Sequence, residues 1–298
     1  MQGYFDGFAR RRVAASGAEI SLVTGGEGPP LLLLHGFPET HLMWHRVAPA
    51  LAERFTVVAP DLRGYGDSGK PQNAGGQGGG DHAAYSKRAM AQDMVEVMEA
   101  LGHRRFRLAA HDRGARVAHR LALDHPDRVE KLCLMDIVPS SVVYGTVTKQ
   151  VAAAYWHWFF LIQPQPLPEH YIGLDPEFLV RAALRGLSPG AEPVPDAVLA
   201  DYCRCFRDPA TIHAVCEDYR AGATIDLAHE AEDEAAGRRI ACPTLFLWGS
   251  RGLVGRAYDP LAVWGRICTD LRGEALDCGH FLPEERPAEV LRALEGFL

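Results

Sequence analysis

Residues 106–116 run Phe106-Arg107-Leu108-Ala109-Ala110-His111-Asp112-Arg113-Gly114-Ala115-Arg116. The apolar start predicts a strand over Phe106–Ala110, a tight turn at Asp112 and a helix opening at Gly114. Ala110 and Gly114 stand two residues before and two after Asp112. Small–x–nucleophile–x–small is the spacing of a nucleophile elbow, most often written G-x-S-x-G. Such a turn packs a strand's end against a helix's start, so both flanking positions must lack bulk. A strand delivered into a helix this way predicts an α/β chain with a mostly parallel, doubly wound sheet. Its working loops would lie at the strands' C-terminal ends.

The centre of this elbow is Asp rather than Ser, which changes the chemistry. A serine displacing a leaving group from saturated carbon would be left as an ether, which water does not readily cleave. A carboxylate doing the same is left as an ester, and water attacking the side-chain carbonyl carbon regenerates the acid. Asp112 therefore points to substitution at sp3 carbon, either a carbon–halogen bond or an epoxide. The competing reading is a helix N-cap, for which Asp is well suited.

Arg113 and Arg116 lie three apart on the first helical turn and project to one side. Two cations at a helix N-terminus oppose its dipole, and an anionic substrate beside Asp112 would compensate them. Arginine also grips a carboxylate through two parallel N–H bonds. The plainer alternative is a pair of solvated surface arginines.

The chain has 298 residues, 47% of them hydrophobic, enough for a sizeable core and consistent with one domain plus an insertion. A formal net charge of -7 argues against nucleic-acid binding. No apolar run approaches the length of a membrane span. Arg10-Arg11-Arg12 is not followed by a hydrophobic signal core, so export is not expected. Seven scattered cysteines fit a reducing cytoplasm. Cys203, Cys205, His213 and Cys216 invite a zinc reading, but Cys203 and Cys205, two apart on one helix, would face different ways. No metal is expected there.

Upstream of the elbow, residues 11–24 read as two short strands, the second being Glu19 to Val23. Leu31–Leu34 forms a buried strand, Trp44–Ala52 a helical stretch and Thr56–Ala59 another strand. Residues 72–81 read as a flexible surface loop, and Ser86–Leu101 as a helix with apolar residues at Met90, Met94, Val97 and Leu101. Downstream, Val129–Met135 is a strand. Residues from about 139 to 225 look helical throughout and read as a cap inserted between sheet strands. Thr244–Trp248 and Arg272–Leu276 resume the sheet, and Leu282–Leu298 closes the chain as a helix. The expected division is core 1–138, helical cap 139–225 and core 226–298.

An Asp nucleophile needs a base for the second step and an acid to orient that base. His280 follows the last strand, at the same sheet edge as Asp112, and nucleophile early with His last is the chain order of hydrolases built on this elbow. For the orienting acid, Asp136 follows the strand ending Leu134-Met135. Asp259 is the reserve, and Asp277 lies too near His280 in sequence. Phe37, in His35-Gly36-Phe37-Pro38, and Arg113 could offer backbone N–H groups to an oxyanion.

Several stretches together resemble a known family. They are His-Gly-Phe-Pro-Glu-Thr at 35–40, the Asp61–Ser68 loop, His-Asp-Arg-Gly-Ala-Arg at 111–116 and Met-Asp-Ile-Val-Pro at 135–139. Tyr-Trp-His-Trp at 155–158 and Gly-His-Phe-Leu-Pro-Glu-Glu at 279–285 complete the set. The chain is similar to the fluoroacetate dehalogenases of the α/β-hydrolase superfamily. The 35–40 and 61–68 motifs are shared with epoxide hydrolases; the Asp-Arg-Gly-x-Arg elbow with Asp136 and the His-Trp pair is more specific. The resemblance implies that His157, Trp158 and Tyr219 donate hydrogen bonds to the departing halide. It also implies a homodimer and no cofactor. Where the family often carries a bulky cap Trp, this chain has Arg185-Gly186-Leu187, which implies a roomier pocket.

The expected activity is hydrolysis of a short 2-haloacid, haloacetate being the type, to the 2-hydroxyacid and halide. The alternative is an epoxide hydrolase using the same Asp112 and His280, with Tyr171 and Tyr219 protonating the epoxide oxygen. A binding member of the same fold without catalysis is a further class, which an intact nucleophile, base and acid argue against.

Overall fold

The computed structural model describes residues 3–71, 80–192 and 194–298. The loop expected at 72–81 falls, apart from its last two residues, outside them. Eight strands form one sheet: β1 (Ala9–Ala14), β2 (Glu19–Gly25), β3 (Pro30–Leu34), β4 (Thr56–Pro60), β5 (Phe106–His111), β6 (Val129–Met135), β7 (Thr244–Gly249) and β8 (Leu271–Leu276). Their spatial order is β1-β2-β4-β3-β5-β6-β7-β8. Only β2 runs against the rest: it pairs antiparallel with β1 and β4, and every later pairing is parallel.

The central strands are buried on both faces, as crossover helices require. Along β3, Leu32 and Leu34 enter one core cluster while Leu31 and Leu33 enter the other. In β6 the same alternation sends Leu132 and Leu134 one way and Cys133 and Met135 the other. One face is covered by the helices Lys87–Ala100 and Asp112–Asp124, the other by Ala48–Leu51 and Pro287–Phe297.

Sheet and helices thus stand where the sequence pattern puts them, with three adjustments. The elbow helix begins at Asp112 itself, not at Gly114, with His111 as its extended N-cap residue. The stretch 44–52 divides into a short 3-10 turn, His41–Trp44, and the helix Ala48–Leu51. The closing helix breaks into Leu282–Glu285 and Pro287–Phe297, since proline cannot continue a preceding helix. Between β6 and the helix Ile225–Ala235, the described residues form seven helices and no strand. This insertion lies over the C-terminal edge of the sheet.

Candidate active site

Asp112, just past β5, has a φ of 45°, and Asp136, just past β6, has a φ of 52°. Left-handed backbone at a non-glycine residue costs on the order of 1–3 kcal/mol and persists where surrounding structure enforces it. Here the elbow packing enforces it: a Cβ at Gly114 would lie 2.3 Å from the His35 carbonyl oxygen. Two neighbouring parallel strands therefore lift two carboxylates to one edge.

Between them lies His280, on the loop after β8. Its Nδ1 is 2.6 Å from Asp136 Oδ2, and its Nε2 is 3.8 Å from Asp112 Oδ1. Asp136 is fixed on its other oxygen by the Gly249 N–H at 2.9 Å. The Phe37 N–H donates to Asp112 Oδ2 at 2.9 Å, and the Phe37–Pro38 peptide is cis. Burial pushes the Asp112 carboxyl up, but His280, His111, Arg113 and the Phe37 N–H outweigh it and hold the group below the usual carboxylate value. Burial pushes His280 down, yet Asp136, Asp112 and Glu39 raise it to about 9.

The two arginines prove unequal. Arg113 is anchored by Asp218 of the insertion, Nε to Oδ2 at 2.7 Å and Nη2 to Oδ1 at 2.8 Å. Asp218 also accepts from Lys87 and from the Tyr65 hydroxyl. Arg116 donates only to the Val138 carbonyl at 2.9 Å and to Ser140 Oγ at 3.0 Å, and its buried Nε is unpartnered. Among the described residues no carboxylate pairs with it. Burial and the neighbouring Arg113 lower its pKa. Asp112 and Glu230 offset this only through space; a buried guanidinium with no carboxylate in contact is costly, and an anion docked on it would relieve that cost.

Three aromatic groups of the insertion close the space above. The His157 ring stacks on Phe37 at 5.5 Å, and Tyr219 lies 5.9 Å from both the His157 and Trp158 rings. Adjacent on a short helix, His157 and Trp158 converge by packing against the same tyrosine. The Arg113 guanidinium sits 4.1 Å over Tyr219 and that of Arg116 4.6 Å over Trp158. No side-chain donor of the trio has a hydrogen-bond partner among the described residues.

The alpha/beta hydrolase fold family matches residues 29–287 of this chain. The chain belongs to that family. It is 47% identical over 295 residues to a fluoroacetate dehalogenase from Burkholderia sp, covering 99% of this chain and 95% of that one. A soluble epoxide hydrolase from Corynebacterium sp. (strain C12) is 34% identical, with 93% of this chain and 92% of that one covered. The solved structure of ALR0039, an alpha/beta hydrolase from Nostoc sp PCC 7120, superposes with a TM-score of 0.93 at 53% identity, covering 97% of each chain. The epoxide hydrolase is the more distant of the two named enzymes, in line with the motif resemblance.

Other candidates of this hydrolase fall outside the cluster. Asp259 caps the helix Pro260–Gly265 through the Ala262 N–H, and Asp277 faces solvent beside Arg251. Trp156 is 43% exposed and Tyr171 58%, so neither shares the chamber. The buried tyrosine next to the trio is instead Tyr155, stacked on Trp158 at 5.3 Å. His213 pairs with Glu169 at 3.1 Å rather than joining Cys203, Cys205 and Cys216. Arg185 borders a separate cavity of about 260 Å³, also lined by Ser188 and Phe281.

Proposed function

We propose that the chain hydrolyses the carbon–halogen bond of short 2-haloacids, converting haloacetate to glycolate and halide through an aspartyl ester. The observation that carries this reading is Arg116, a buried guanidinium without a carboxylate of its own, beside a carboxylate poised at an elbow. A neutral epoxide would leave that guanidinium without a bonded carboxylate, whereas a haloacid's carboxylate would supply one.

In the proposed sequence the substrate carboxylate docks against Arg116 and the Arg113 edge not taken by Asp218. Asp112 then attacks C2 from the side opposite the halogen: the carbon–oxygen bond forms as the carbon–halogen bond breaks, and the halide leaves with the bonding pair. His157, Trp158 and Tyr219 receive it with neutral N–H and O–H donors. In the second step His280, oriented by Asp136, takes a proton from water, and the hydroxide adds to the ester carbonyl of Asp112. The Phe37 N–H, already on Asp112 Oδ2, and the first-turn N–H of Arg113 are the donors suited to the oxyanion. Collapse of the adduct releases the 2-hydroxyacid with inversion at a chiral C2. The steps balance with water as the only co-reactant, so no cofactor is invoked.

We further assign residues 139–225 as a cap that keeps water from the alkylation step, between core segments 1–138 and 226–298. The exposed Trp156, Leu167, Tyr171, Leu174 and Phe178 all lie on this insertion. Exposed apolar side chains gathered on one insertion support a homodimer formed through the cap. Seven cysteines without disulfides support a reducing, cytoplasmic setting. Among the described residues no helix is long and apolar enough to cross a membrane.

The direct test is halide release from fluoro-, chloro- and bromoacetate, with styrene oxide in parallel. Release from a haloacetate without styrene oxide hydrolysis supports the assignment; the reverse pattern replaces it with epoxide hydrolysis. A single turnover in heavy-oxygen water should give a first product carrying ordinary oxygen from Asp112.

A further inference from the structure

The loop that presents His280 runs from the end of β8 at Leu276 to the helix starting at Leu282, and neither element takes the N–H groups of Gly279, His280 and Phe281. Three consecutive N–H groups instead converge on two side chains. Gly279 N–H donates to Glu285 Oε2 at 2.8 Å, His280 N–H to Ser188 Oγ at 2.7 Å and Phe281 N–H to Glu285 Oε1 at 3.0 Å. The Ser188 hydroxyl in turn donates to Glu285 Oε1 at 2.6 Å. Glu285 is local to the loop, but Ser188 lies 92 residues before His280. It ends the helix Pro176–Leu187 of the insertion and is buried. Glycine at 279 is what permits the approach, since a Cβ there would lie 2.4 Å from Ser188 Oγ.

We propose that Ser188 and Glu285 are positioning residues for the water-activating histidine, so that the insertion sets the backbone from which His280 projects. The inference rests on His280 being the base of the second step. The imidazole must meet two demands at once, Nδ1 on Asp136 and Nε2 toward the Asp112 ester, with only two side-chain torsions to adjust. Its backbone position therefore fixes its aim, and a drift of about 1 Å can cost up to about a hundredfold in rate. Bonds to a carboxylate are the stronger class of hydrogen bond. Ser188 extends the grip of Glu285 to the one N–H of the three that the carboxylate does not reach. Alkylation of Asp112 does not use His280, so loss of the clamp should slow ester hydrolysis and spare ester formation. A loss of packing alone would impair both.

Ser188→Ala, Ser188→Thr, Glu285→Gln and His280→Asn would be compared with the unsubstituted enzyme. Each would react with bromoacetate under rapid quench, read by bromide release and intact-protein mass. In Ser188→Ala we expect one bromide per chain at a first-turnover rate within about twofold of the unsubstituted enzyme. Ester hydrolysis should slow about tenfold or more, so that ester-bearing protein becomes the major steady-state species. Ser188→Thr, which keeps the hydroxyl, should restore hydrolysis. Should Ser188→Ala fail to fold, Glu285→Gln against Ser188→Thr makes the same comparison. Unchanged hydrolysis in Ser188→Ala or Glu285→Gln, or equal slowing of both steps, overturns the proposal. His280→Asn separates the two readings: full turnover there removes the base assignment, whereas a trapped ester there with none in Ser188→Ala removes the clamp alone.

Discussion

His280 Nδ1 stands 2.6 Å from Asp136 Oδ2, and the other oxygen of that carboxylate accepts the Gly249 N–H at 2.9 Å. Both carboxylate oxygens thus face donors, and an amide cannot serve both. Asp136→Asn must turn its NH2 toward one N–H or the other, which would release the imidazole or stabilise the wrong tautomer. The expected outcome is a fall in kcat of about 10³–10⁴, with the ester visible by intact mass. Asp259→Asn, which alters a helix cap far from the ring, should leave kcat within about twofold and cost at most about 1 kcal/mol in a thermal melt. The opposite ranking of the two variants would make Asp259 the orienting acid.

His280→Asn and Asp112→Asn should stop the reaction at different points. With the nucleophile gone no halide is released, whereas loss of the base permits one halide per chain and then leaves the ester in place. Quantified bromide and intact-protein mass, measured on one sample, tell the two apart. Sustained turnover by Asp112→Asn would mean that water, not the carboxylate, attacks C2.

The pH behaviour follows from the charges around His280. Burial lowers its pKa, but Asp136, Asp112 and Glu39 raise it to about 9, so the free enzyme carries an imidazolium at neutral pH. An imidazolium cannot accept a proton from water. Ester formation neutralises Asp112 and removes one of the negative neighbours, so the pKa falls in the intermediate, where the base is needed. The rate of ester hydrolysis should therefore rise with pH and reach half its plateau below about 9. Alkylation requires ionised Asp112, whose pKa is already depressed, and should be flat across the neutral range. Asn at position 112 mimics the charge loss. NMR titration of His280 should give a lower pKa in Asp112→Asn than in the unsubstituted protein, and an unchanged value would count against this coupling.

Arg113 and Arg116 look equivalent in sequence, and their partners predict opposite phenotypes. Arg113→Met leaves Asp218 buried without its main counterion and should cost about 3–5 kcal/mol of stability. Arg116→Met removes a buried cation that has no carboxylate partner, so its melting temperature should change little. If the carboxylate binds there, KM for haloacetate should rise about ten- to a hundredfold, as expected for a charged hydrogen-bonded group. Thermal melts and steady-state kinetics on both variants decide it. An Arg116 variant that melts early and keeps its KM would assign that residue to the scaffold.

How far the site could be read from sequence depended on the range of each contact. β6 matches its expected span, Val129–Met135, because its buried end is written in the continuous apolar run Leu132–Met135. Asp136 and His280 were legible because strand ends in a parallel sheet share one edge. Asp218, Ser188 and Glu285 carried no comparable signal: Arg113 and Asp218 are 105 residues apart, and no spacing rule spans an insertion. Trp156 and Trp158 were separable only by exposure, since both fit a helical pattern. Tyr171 failed as a partner for Tyr219 because its helix turns it outward, a choice that the packing of the whole insertion makes. Gly279 was the one local hint of the Ser188 contact, as a glycine beside the candidate base suggests close approach by another group.

The same insertion supplies the last expectation, which concerns the halide. Burial lowers the His157 ring to about 3 and raises the Tyr219 hydroxyl well above its usual value. With Trp158, the chamber thus offers three neutral donors across the working pH range. Arg113 and Arg116, stacked on the Tyr219 and Trp158 rings, add positive potential without donating directly to the leaving group. Fluoride develops the most concentrated charge as it departs and gains most from directed donors, while bromide leaves readily with less help. Loss of one preorganised donor of this kind costs about 10²–10³ in rate where charge develops fully. Tyr219→Phe should therefore reduce fluoroacetate turnover by about that factor and bromoacetate turnover by about tenfold or less, shifting the ratio of the two. Trp158→Phe should act in the same direction, and Trp156→Phe, on the exposed side of its helix, should leave the ratio unchanged. A ratio constant across all three variants would show that these donors do not face the departing halide.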